Sequence, residues 1–362
     1  MAILNENIDE FYMKCALELA RRGTECSPNP RVGCVIVRGG EVIGRGWHKV
    51  CGGPHAEVEA MRDAGGDIAG ADVYVTLEPC SHYGKTPPCA DMLVEHGVKR
   101  VVAGMEDPNP LVAGHGLEKL RASGIETLCG VLEEECKWAN RGFLRRMVQK
   151  RPWVTLKVAA SLDGKVALAN GASKWITGES ARRCVHGMRA KSDAVITGVG
   201  TVIADDPQLT VRDVSGETPL RAVLDRSLRT PVDSNLVRGG AVIFTNRSEP
   251  EKIKLLEDAG ARVEVVGGDD FLGGVLTRLC EMNVNYLMVE AGPQVTSAFI
   301  ASGLADELAL FAAPKPMGRG MSFTDGLEFS SMESVPALRG VKYTSCGEDL
   351  LIRGVFECSP DL

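Results

Sequence analysis

The sequence has no long apolar run and no excess of basic residues, and both absences narrow the class of protein. No stretch approaches the ~20 consecutive apolar residues that a membrane-spanning helix needs, so a membrane partner is not expected. The formal net charge of −7 disfavours a nucleic-acid partner, because such binders carry a basic stripe. Hydrophobic and charged contents of 44% and 25% are those of an ordinary globular enzyme.

The first residues, Met1 to Glu6, lack the basic and apolar regions of a secretory signal. This absence determines how the twelve cysteines are interpreted, because disulfides persist mainly in exported proteins. We therefore expect reduced thiols and a cytoplasmic protein. The acidic charge balance still permits a small phosphorylated substrate, since a few local Arg and Lys residues are enough to bind phosphate.

The length of 362 residues is too great for one compact core and predicts two domains. Predicted strands and helices alternate, which indicates layered α/β units. A charged, helix-forming segment over residues 132–150 is followed by Pro152, which blocks further helix. We therefore predict a first domain over residues 1–146 and a second over residues 147–362.

One histidine and two cysteines in the first half have the residue types of an open zinc site. His55 opens a predicted helix, Cys80 follows a predicted strand, and Cys89 opens another predicted helix. One His and two Cys leave the fourth tetrahedral position of Zn²⁺ to a water. Glu57 lies two residues after His55, where it can transfer that water's protons. This is the H-x-E…P-C pattern of zinc deaminases, with eight residues instead of two between the cysteines.

The residues alone leave other interpretations of this pattern open. The three positions could be unrelated in a chain with twelve Cys and six His. The zinc could stabilise a non-enzymatic scaffold, with His82 or Cys51 as a fourth ligand. A nucleic-acid-editing deaminase is a further alternative, which the acidic charge balance and the long gap between the cysteines disfavour.

The first 145 or so residues resemble the deaminase half of the bifunctional riboflavin-biosynthesis deaminase/reductase family. The resemblance rests on residues 27–33, 48, 54–57, 76–89 and 107–110, and the insert between the two cysteines is its discriminating part. It implies a three-layer, cytidine-deaminase-like fold with a Zn²⁺ cofactor. It also implies hydrolytic deamination of a diaminopyrimidinone ribosylamino 5′-phosphate to an aminouracil.

The same resemblance implies roles for individual residues of the first half. His55, Cys80 and Cys89 would bind zinc, and Glu57 would be catalytic. The positions that match substrate contacts in the family are Asn29, His48, His82, Lys85, Asp107 and Asn109, with His82 and Lys85 as phosphate partners. The ordinary alternatives are a turn-forming Asn29, a capping Asp107 and a solvated Lys85.

The second half lacks the G-x-G-x-x-G fingerprint of an ordinary Rossmann domain. A small-residue turn over residues 291–295, ahead of a helix predicted to start near Thr296, suits a phosphate and indicates a nucleotide-binding α/β domain. Lys157 lies inside an apolar predicted strand, where a lysine needs a partner or a function. Asp205 is the partner that the sequence suggests.

Residues 157–164, 173–177, 200–212 and 289–293 resemble the reductase half of the same family. This resemblance implies a dihydrofolate-reductase-like fold, NADPH as cofactor and reduction of the ribosyl group to ribityl. Lys157 would assist at the sugar carbonyl. The positions that match cofactor contacts are Ala159, Trp175, Thr201, Asp205, Gly292, Pro293, Gln294, Val295, Thr296, Ser297 and Ala298, and Arg226 is suggested for the 2′-phosphate. The positions that match substrate contacts are Ser173, Leu209, Arg212 and Glu290, with Arg212 as a phosphate ligand.

The expected partners of the chain follow from both halves. They are small phosphorylated pyrimidines as substrates, with no nucleic acid and no membrane. A homo-oligomer is expected, since α/β reductase domains of this kind often pair.

Overall fold

The computed structural model of the chain describes residues 7–81, 87–109 and 113–359. The chain divides into two compact units between Lys150 and Arg151. The boundary predicted after residue 146 lies within a helix that spans Arg141–Gln149. In the described part of the chain, no helix combines the length and apolar character that crossing a membrane requires.

The first unit is built on a five-stranded sheet. Its elements are α1 Ile8–Ala20, β1 Gly33–Arg38, β2 Glu41–Trp47, α2 Ala56–Asp63, β3 Asp72–Val75, α3 Cys89–Glu95, β4 Arg100–Ala103, α4 His115–Ala122, β5 Glu126–Cys129, α5 Glu133–Ala139 and α6 Arg141–Gln149. The strand order is β2-β1-β3-β4-β5, with β1 antiparallel to both neighbours and β3, β4 and β5 parallel. The predicted hairpin is present, and Gly39 and Gly40 form its turn with φ of 62° and 85°.

Helices cover both faces of this sheet, as alternate residues of β1 show. Cys34 and Ile36 pack with α2, α3 and α4 on one face. Val35 and Val37 pack with α1, α5 and α6 on the other. Because both faces are covered, β1 is an unbroken apolar run rather than an alternating one. The unit therefore has three layers.

The second unit is built on a nine-stranded sheet. Its elements are β6 Trp153–Ser161, β7 Lys165–Leu168, α7 Glu179–Arg189, β8 Ala194–Gly198, α8 Val199–Asp205, β9 Leu220–Leu224, α9 Asn235–Arg238, β10 Val242–Thr245, α10 Pro250–Asp258, β11 Arg262–Val265, α11 Phe271–Glu281, β12 Tyr286–Val289, α12 Pro293–Ala301, β13 Glu307–Ala313, β14 Gly320–Ser322, a 3-10 helix Met332–Ser334, β15 Leu338–Cys346 and β16 Asp349–Phe356. The strand order is β11-β10-β9-β8-β12-β6-β13-β16-β15, and β7 pairs with β14 separately. β6 lies between β12 and β13 and is parallel to both.

Alternate residues of β6 face opposite sides of this sheet. Leu156 and Val158 pack with α11 and α12. Ala159 belongs to the other face, which α7, α8 and α10 cover. Because side chains alternate along a strand, Lys157 shares that second face with Ala159. The α/β class predicted from the sequence is confirmed in both units.

The helix α12 begins earlier than the sequence predicts. It starts at Pro293 rather than near Thr296, with Gly292 as its N-cap residue. Proline suits the first helical position because its fixed φ matches the helix and its missing N–H costs no hydrogen bond there. The prediction of a turn over residues 291–295 is therefore wrong beyond Gly292, since the residues from Pro293 onward form the start of α12.

Candidate active sites

Three side chains of the first unit meet at the starts of two helices. His55 immediately precedes α2, Cys80 follows β3, and Cys89 is the first residue of α3. The Sγ atoms of Cys80 and Cys89 lie 3.5 and 3.3 Å from Nδ1 of His55, and the three atoms lie within 4.8 Å of one another. Tetrahedral zinc bonds of about 2.3 Å to sulfur and about 2.0 Å to nitrogen separate the ligand atoms by roughly 3.5 to 3.8 Å. The spacing of the three atoms therefore fits Zn²⁺.

The cluster of metal-binding side chains contains these three residues alone, as far as the described ranges extend. Cys51, one suggested fourth ligand, is exposed, and its N–H donates to the carbonyl of Glu25. His82, the other suggested ligand, lies outside the described residues. Three protein ligands leave one tetrahedral position for a water or a substrate atom, which is the arrangement of catalytic rather than structural zinc sites.

The surroundings of Cys80 favour its thiolate form, which binds cations. Hydrogen bonds with the Cys89 thiol, with His55 and with the Cys89 backbone lower the pKa of Cys80 to about 4, against the opposing effect of burial. The backbone N–H of Cys89 lies 3.3 Å from the sulfur of Cys80 at the N-terminus of α3. The positive end of a helix stabilises a thiolate, which is the form that binds zinc.

Glu57 is the second residue of α2 and is 3% exposed. Burial raises the pKa of its carboxyl to about 7, although His55 acts in the opposite direction. A carboxyl that titrates near neutral pH can both accept and return a proton, which a general acid–base catalyst must do. The arrangement can therefore serve hydrolysis at a metal-bound water.

Asn29 and His48 lie beside the metal ligands, as the sequence predicts. The side-chain nitrogen Nδ2 of Asn29 lies 3.1 Å from Nε2 of His48, and Nδ1 of His48 lies 3.0 Å from the carbonyl oxygen of Pro54. The ring of His48 packs edge-on against His55 with the centroids 5.6 Å apart. The carbonyl of Pro54 needs a donor and the amide of Asn29 needs an acceptor, so His48 carries its proton on Nδ1 and is neutral. Burial lowers the pKa of His48, in agreement with a neutral ring.

Glu78 is a residue of the first unit that the sequence analysis did not single out. Its buried carboxylate accepts hydrogen bonds from four backbone N–H groups, those of Asp107 at 3.2 Å, Gly114 at 2.9 Å, Gly116 at 2.8 Å and Leu117 at 3.2 Å. The sequence did contain a signal for Glu78, since an acidic residue directly after an apolar strand is expected to be buried. A buried carboxylate needs hydrogen-bond donors around it. Glu78 also lies two residues before Cys80, so it connects the metal-ligand segment to the start of α4.

Of the remaining predicted substrate positions in the first unit, the structure describes Asp107 and Asn109. The N–H of Asn109 donates to Oδ1 of Asp107 at 2.8 Å, so these two residues form one local turn. Glu78 holds that turn through the N–H of Asp107. His82 and Lys85 lie outside the described residues.

We expect the Glu78→Gln variant to bind substrate more weakly while keeping its zinc. A glutamine presents one NH₂ group where the carboxylate accepts, so two of the four N–H groups lose their acceptor. Hydrogen bonds to a charged acceptor contribute about 1.5–3 kcal/mol each, so the turn loses local stability. We expect about 1.4 kcal/mol of this loss to appear in substrate binding, as a roughly tenfold rise in the KM for deamination with little change in kcat. Steady-state ammonia release and zinc content test this. The matched control is Glu106→Gln, at an exposed position just before Asp107; an equal effect there would contradict the role of Glu78.

Lys157, Arg189 and Glu290 form a partly buried ion cluster in the second unit. Nζ of Lys157 lies 3.4 Å from Oε2 of Glu290, and Nη2 of Arg189 donates to the same oxygen at 3.0 Å. Nε of Arg189 donates to the other carboxylate oxygen. Burial alone would raise the pKa of Glu290, but the two cations outweigh it and lower the pKa to about 2. The carboxylate of Glu290 is therefore ionised at neutral pH.

The prediction that Asp205 is the partner of Lys157 is wrong. Asp205 ends α8, and its carboxylate pairs with Lys174 at 3.2 Å. Glu290 takes the place beside Lys157 because it follows β12, which is the parallel neighbour of β6. Arg189, which the sequence analysis missed, ends α7 and also donates to the carbonyl of Thr210 at 2.9 Å.

Most of the predicted cofactor positions follow the carboxyl ends of parallel strands. Thr201 lies in α8 after β8, Arg226 follows β9, and residues 292–298 follow β12. In α/β sheets the carboxyl ends of the strands are where ligands bind. A Cβ atom built on Gly200 meets no heavy atom within 4 Å, so there is open space beside the first turn of α8. The backbone at Gly200 is therefore uncovered at this edge of the sheet.

The other predicted positions of the second unit differ in exposure. Trp175 is 68% exposed with the guanidinium of Arg182 4.7 Å above its ring, and Ala159 and Ser173 are half-buried. The guanidinium of Arg226 lies 4.9 Å from the ring centroid of Phe271. Leu209 is buried, which leaves only its backbone for a substrate contact. Arg212 is exposed, and its Nη1 donates to Gln208 and Thr210 at 3.0 and 2.9 Å.

We expect the Glu290→Gln variant to destabilise the second unit by about 3 kcal/mol at pH 7, because it leaves two partly buried cations without a carboxylate. The folded-state pKa of Glu290 is lower than its ordinary value of 4.5. The stabilisation is therefore complete above about pH 4.5 and declines as the pH falls toward 2. Hydrogen exchange of β6 and β12 peptides in denaturant measures the difference between variant and parent. The matched control is Glu281→Gln in an exposed pair with Arg278; a difference that did not vary with pH would contradict the prediction.

Two family models match the chain, one on each unit. The cytidine and deoxycytidylate deaminase zinc-binding region matches residues 6–105, and the RibD C-terminal domain matches residues 152–352. With the geometry above, these matches define the class of protein: a zinc-dependent deaminase unit joined to an NADPH-dependent reductase unit.

Curated relatives and solved structures match almost the whole chain. The riboflavin biosynthesis protein RibD of Aquifex aeolicus is 44% identical over 95% of this chain and 98% of its own length, and that of Escherichia coli (strain K12) is 42% identical with the same coverage. The structure of Acinetobacter baumannii RibD matches with a TM-score of 0.88 at 40% identity, covering 96% of this chain and 99% of its own. The diaminohydroxyphosphoribosylaminopyrimidine deaminase/5-amino-6-(5-phosphoribosylamino)uracil reductase of Thermotoga maritima matches with a TM-score of 0.86 at 38% identity and the same coverage.

The chain belongs to the RibD family of bifunctional deaminase/reductases of riboflavin biosynthesis. The predicted fold of both units, the two activities and the two cofactors, Zn²⁺ and NADPH, are confirmed. The substrates of RibD enzymes are phosphorylated pyrimidines.

Proposed function

We propose that the two units catalyse the two reactions named for the Thermotoga maritima relative. The first unit deaminates a diaminopyrimidinone ribosylamino 5′-phosphate hydrolytically to an aminouracil and ammonia. The second unit reduces the ribosyl group of that aminouracil to ribityl with NADPH. The observation that carries the proposal is the three-ligand cluster of His55, Cys80 and Cys89 with the buried carboxyl of Glu57 on the adjoining helix.

In the first unit we assign His55, Cys80 and Cys89 as the zinc ligands. Bound zinc supplies a water that ionises near neutral pH. Glu57 would take up a proton from such a water and return one to the departing amine, since burial raises the pKa of its carboxyl to about 7. The ring of His48 packs against His55, and both of its nitrogens are engaged, so we assign it to positioning Asn29. The amide of Asn29 is assigned to the pyrimidine through its oxygen.

The remaining substrate contacts of the first unit are assigned to two segments. Glu78 fixes the turn of Asp107 and Asn109 relative to the metal ligands, so this turn can present a preorganised surface to the substrate. His82 and Lys85, outside the described residues, are assigned to the phosphate because of their charge.

In the second unit we assign Lys157 as the group that polarises the sugar carbonyl. Glu290 orients its ammonium group, and Arg189 holds Glu290 in place. Glu290 and Arg212 are assigned to substrate contacts. NADPH supplies the hydride when bound. The cofactor positions are Ala159, Trp175, Thr201, Asp205, Arg226 and residues 292–298, while Ser173 and Leu209 complete the substrate contacts.

We also propose that the deaminase domain ends and the reductase domain begins close to the division between Lys150 and Arg151. A homo-oligomer in the cytoplasm remains our expectation. A reducing compartment suits zinc ligands that must remain thiolates. Light scattering of the purified protein measures the oligomeric state.

The proposal is tested on the full-length protein by three measurements. We expect about one zinc per chain, ammonia release from the free pyrimidine nucleotide, and NADPH oxidation only when the deaminated product is present. Single-stranded DNA and tRNA are the alternative deaminase substrates. Ammonia release from these polymers alone would refute the first assignment, and equal use of NADH or oxidation without the product would refute the second.

A further inference from the structure

Two cysteines of the second unit, which no step of the proposed reactions uses, lie next to each other. Cys184 is in α7, and Cys346 is the last residue of β15. Their Sγ atoms lie 3.2 Å apart although the residues are 162 positions apart in the sequence. Cys184 is exposed and Cys346 is 4% exposed, and both are free thiols. The fold therefore brings an accessible thiol against a buried one.

The backbone on both sides holds the two cysteines in this position. The N–H of Gly178, the N-cap residue of α7, donates to Oδ2 of Asp349 in β16 at 2.7 Å. The turn between β15 and β16 lies against α7, because a Cβ atom on Gly347 would come within 3.0 Å of Oγ of Ser180. A disulfide bond is about 2.05 Å long. The 3.2 Å between the sulfurs must therefore shorten by about 1 Å for the bond to form.

We propose that Cys184 and Cys346 form a thiol–disulfide exchange site whose oxidant is a small-molecule disulfide. The thiolate of Cys184 attacks one sulfur of the small disulfide, whose S–S bond breaks and releases one thiol. The thiolate of Cys346 then attacks the sulfur of Cys184 and releases the second thiol. The two cysteines lose two electrons and two protons, and the small disulfide gains them as two thiols.

The order of the two attacks follows from exposure. Cys184 is accessible to a molecule in solution, whereas Cys346 is covered. Burial, with the hydrogen bond to Cys184 as a second cause, raises the pKa of Cys346 to about 11. Cys346 is therefore mostly protonated near neutral pH and reacts second, because only the thiolate is nucleophilic. Replacing Cys346 should accordingly trap the small thiol on Cys184.

Formation of the disulfide would shift α7, because Cys184 lies in that helix, and α7 also carries Arg189. That residue ends α7 and binds both Glu290 and the carbonyl of Thr210. A displacement of about 1 Å in a catalytic arrangement can lower a rate by about 10²-fold. We expect the disulfide to lower the rate of NADPH-dependent reduction about tenfold. This effect rests on the proposed reductase function, whereas formation of the disulfide does not.

The test uses the full-length, zinc-loaded protein and oxidised glutathione as the probe. After acid quenching and alkylation, peptide mapping should find Cys184 joined to Cys346, with the reduction rate about tenfold lower and restored by dithiothreitol. Cys184→Ser should resist both changes, and Cys346→Ser should retain glutathione on Cys184. The matched control is Cys358→Ser, which removes another exposed cysteine of the same unit and should behave as the parent.

Three results would overturn parts of the inference. Failure of the mapped disulfide to form in the folded protein would refute the exchange site. If the disulfide forms and the rate of NADPH-dependent reduction does not change, the proposed effect of the disulfide on the reductase is refuted. An equal loss of rate in oxidised Cys184→Ser would place the sensitive thiol elsewhere. If the reduced protein shows no NADPH oxidation, the proposed reductase function fails, and peptide mapping still decides whether the exchange site exists.

Discussion

The Glu57→Gln variant is expected to release ammonia on the order of 10³-fold more slowly than the parent chain, with its zinc content unchanged. Glutamine keeps the shape of the side chain but cannot accept the proton of a metal-bound water. Glu57 is buried, so solvent water has little access to the position from which its carboxylate acts. Because the change removes a proton-transfer group, the loss should lie in kcat rather than in KM.

The matched control for this experiment is Glu59→Gln, two residues further along α2. Glu59 pairs with Arg62 at 3.0 Å and with Lys49 near the surface, so its replacement should leave deamination within about twofold of the parent. Metal analysis and circular dichroism accompany both variants. Loss of zinc or unfolding in Glu57→Gln would show that Glu57 is structural, and retained activity would show that another group transfers the proton.

The second large effect is expected from Lys157→Met, which should lower NADPH oxidation roughly 10²-fold or more. Methionine fills a similar volume on β6 but carries no charge with which to polarise the sugar carbonyl. Glu290 keeps Arg189 as an ion-pair partner, so the second unit should remain folded. Deamination in the first unit should continue, and the aminouracil product should accumulate. Absorbance of NADPH and chromatography of the pyrimidines measure the two steps in one reaction.

The matched control is Lys342→Met on β15, an exposed lysine of the same sheet. It should oxidise NADPH at the rate of the parent. A Lys157→Met variant that reduces the product at full rate would remove Lys157 from the mechanism. A variant that binds NADPH normally and fails in reduction would separate the role of Lys157 from cofactor binding, as the proposal requires.

The local features of the chain were predictable because short-range rules determine them. His55, Cys80 and Cys89 each lie at a boundary between strand, loop and helix that turn and capping residues reveal in the sequence. Glu57 follows from its offset to His55 on one helix. The hairpin around Gly39 and Gly40 follows because two consecutive glycines permit positive φ. These predictions need no knowledge of strand order.

The features that the sequence analysis missed depend on which strands are neighbours. Lys157 and Glu290 are 133 positions apart, and only the pairing of β6 with β12 brings them together. Asp205 was the nearer acidic residue in the sequence, but it lies at the end of α8 and pairs with Lys174. The four donors of Glu78 lie 29 to 39 positions away, in a segment whose path no local pattern indicates.

The place of β6 in its sheet also has a consequence for synthesis of the chain. β6 is the first strand of the second unit, yet its neighbours β12 and β13 come from near the end of the chain. The ribosome therefore releases Lys157 long before the strands that flank it exist, and unpaired apolar strands are prone to aggregate. In the first unit, β1 pairs with β2 and β3 within a short span. We expect the first unit to fold while the second is still being translated, and the second to depend on chaperones until β13 emerges.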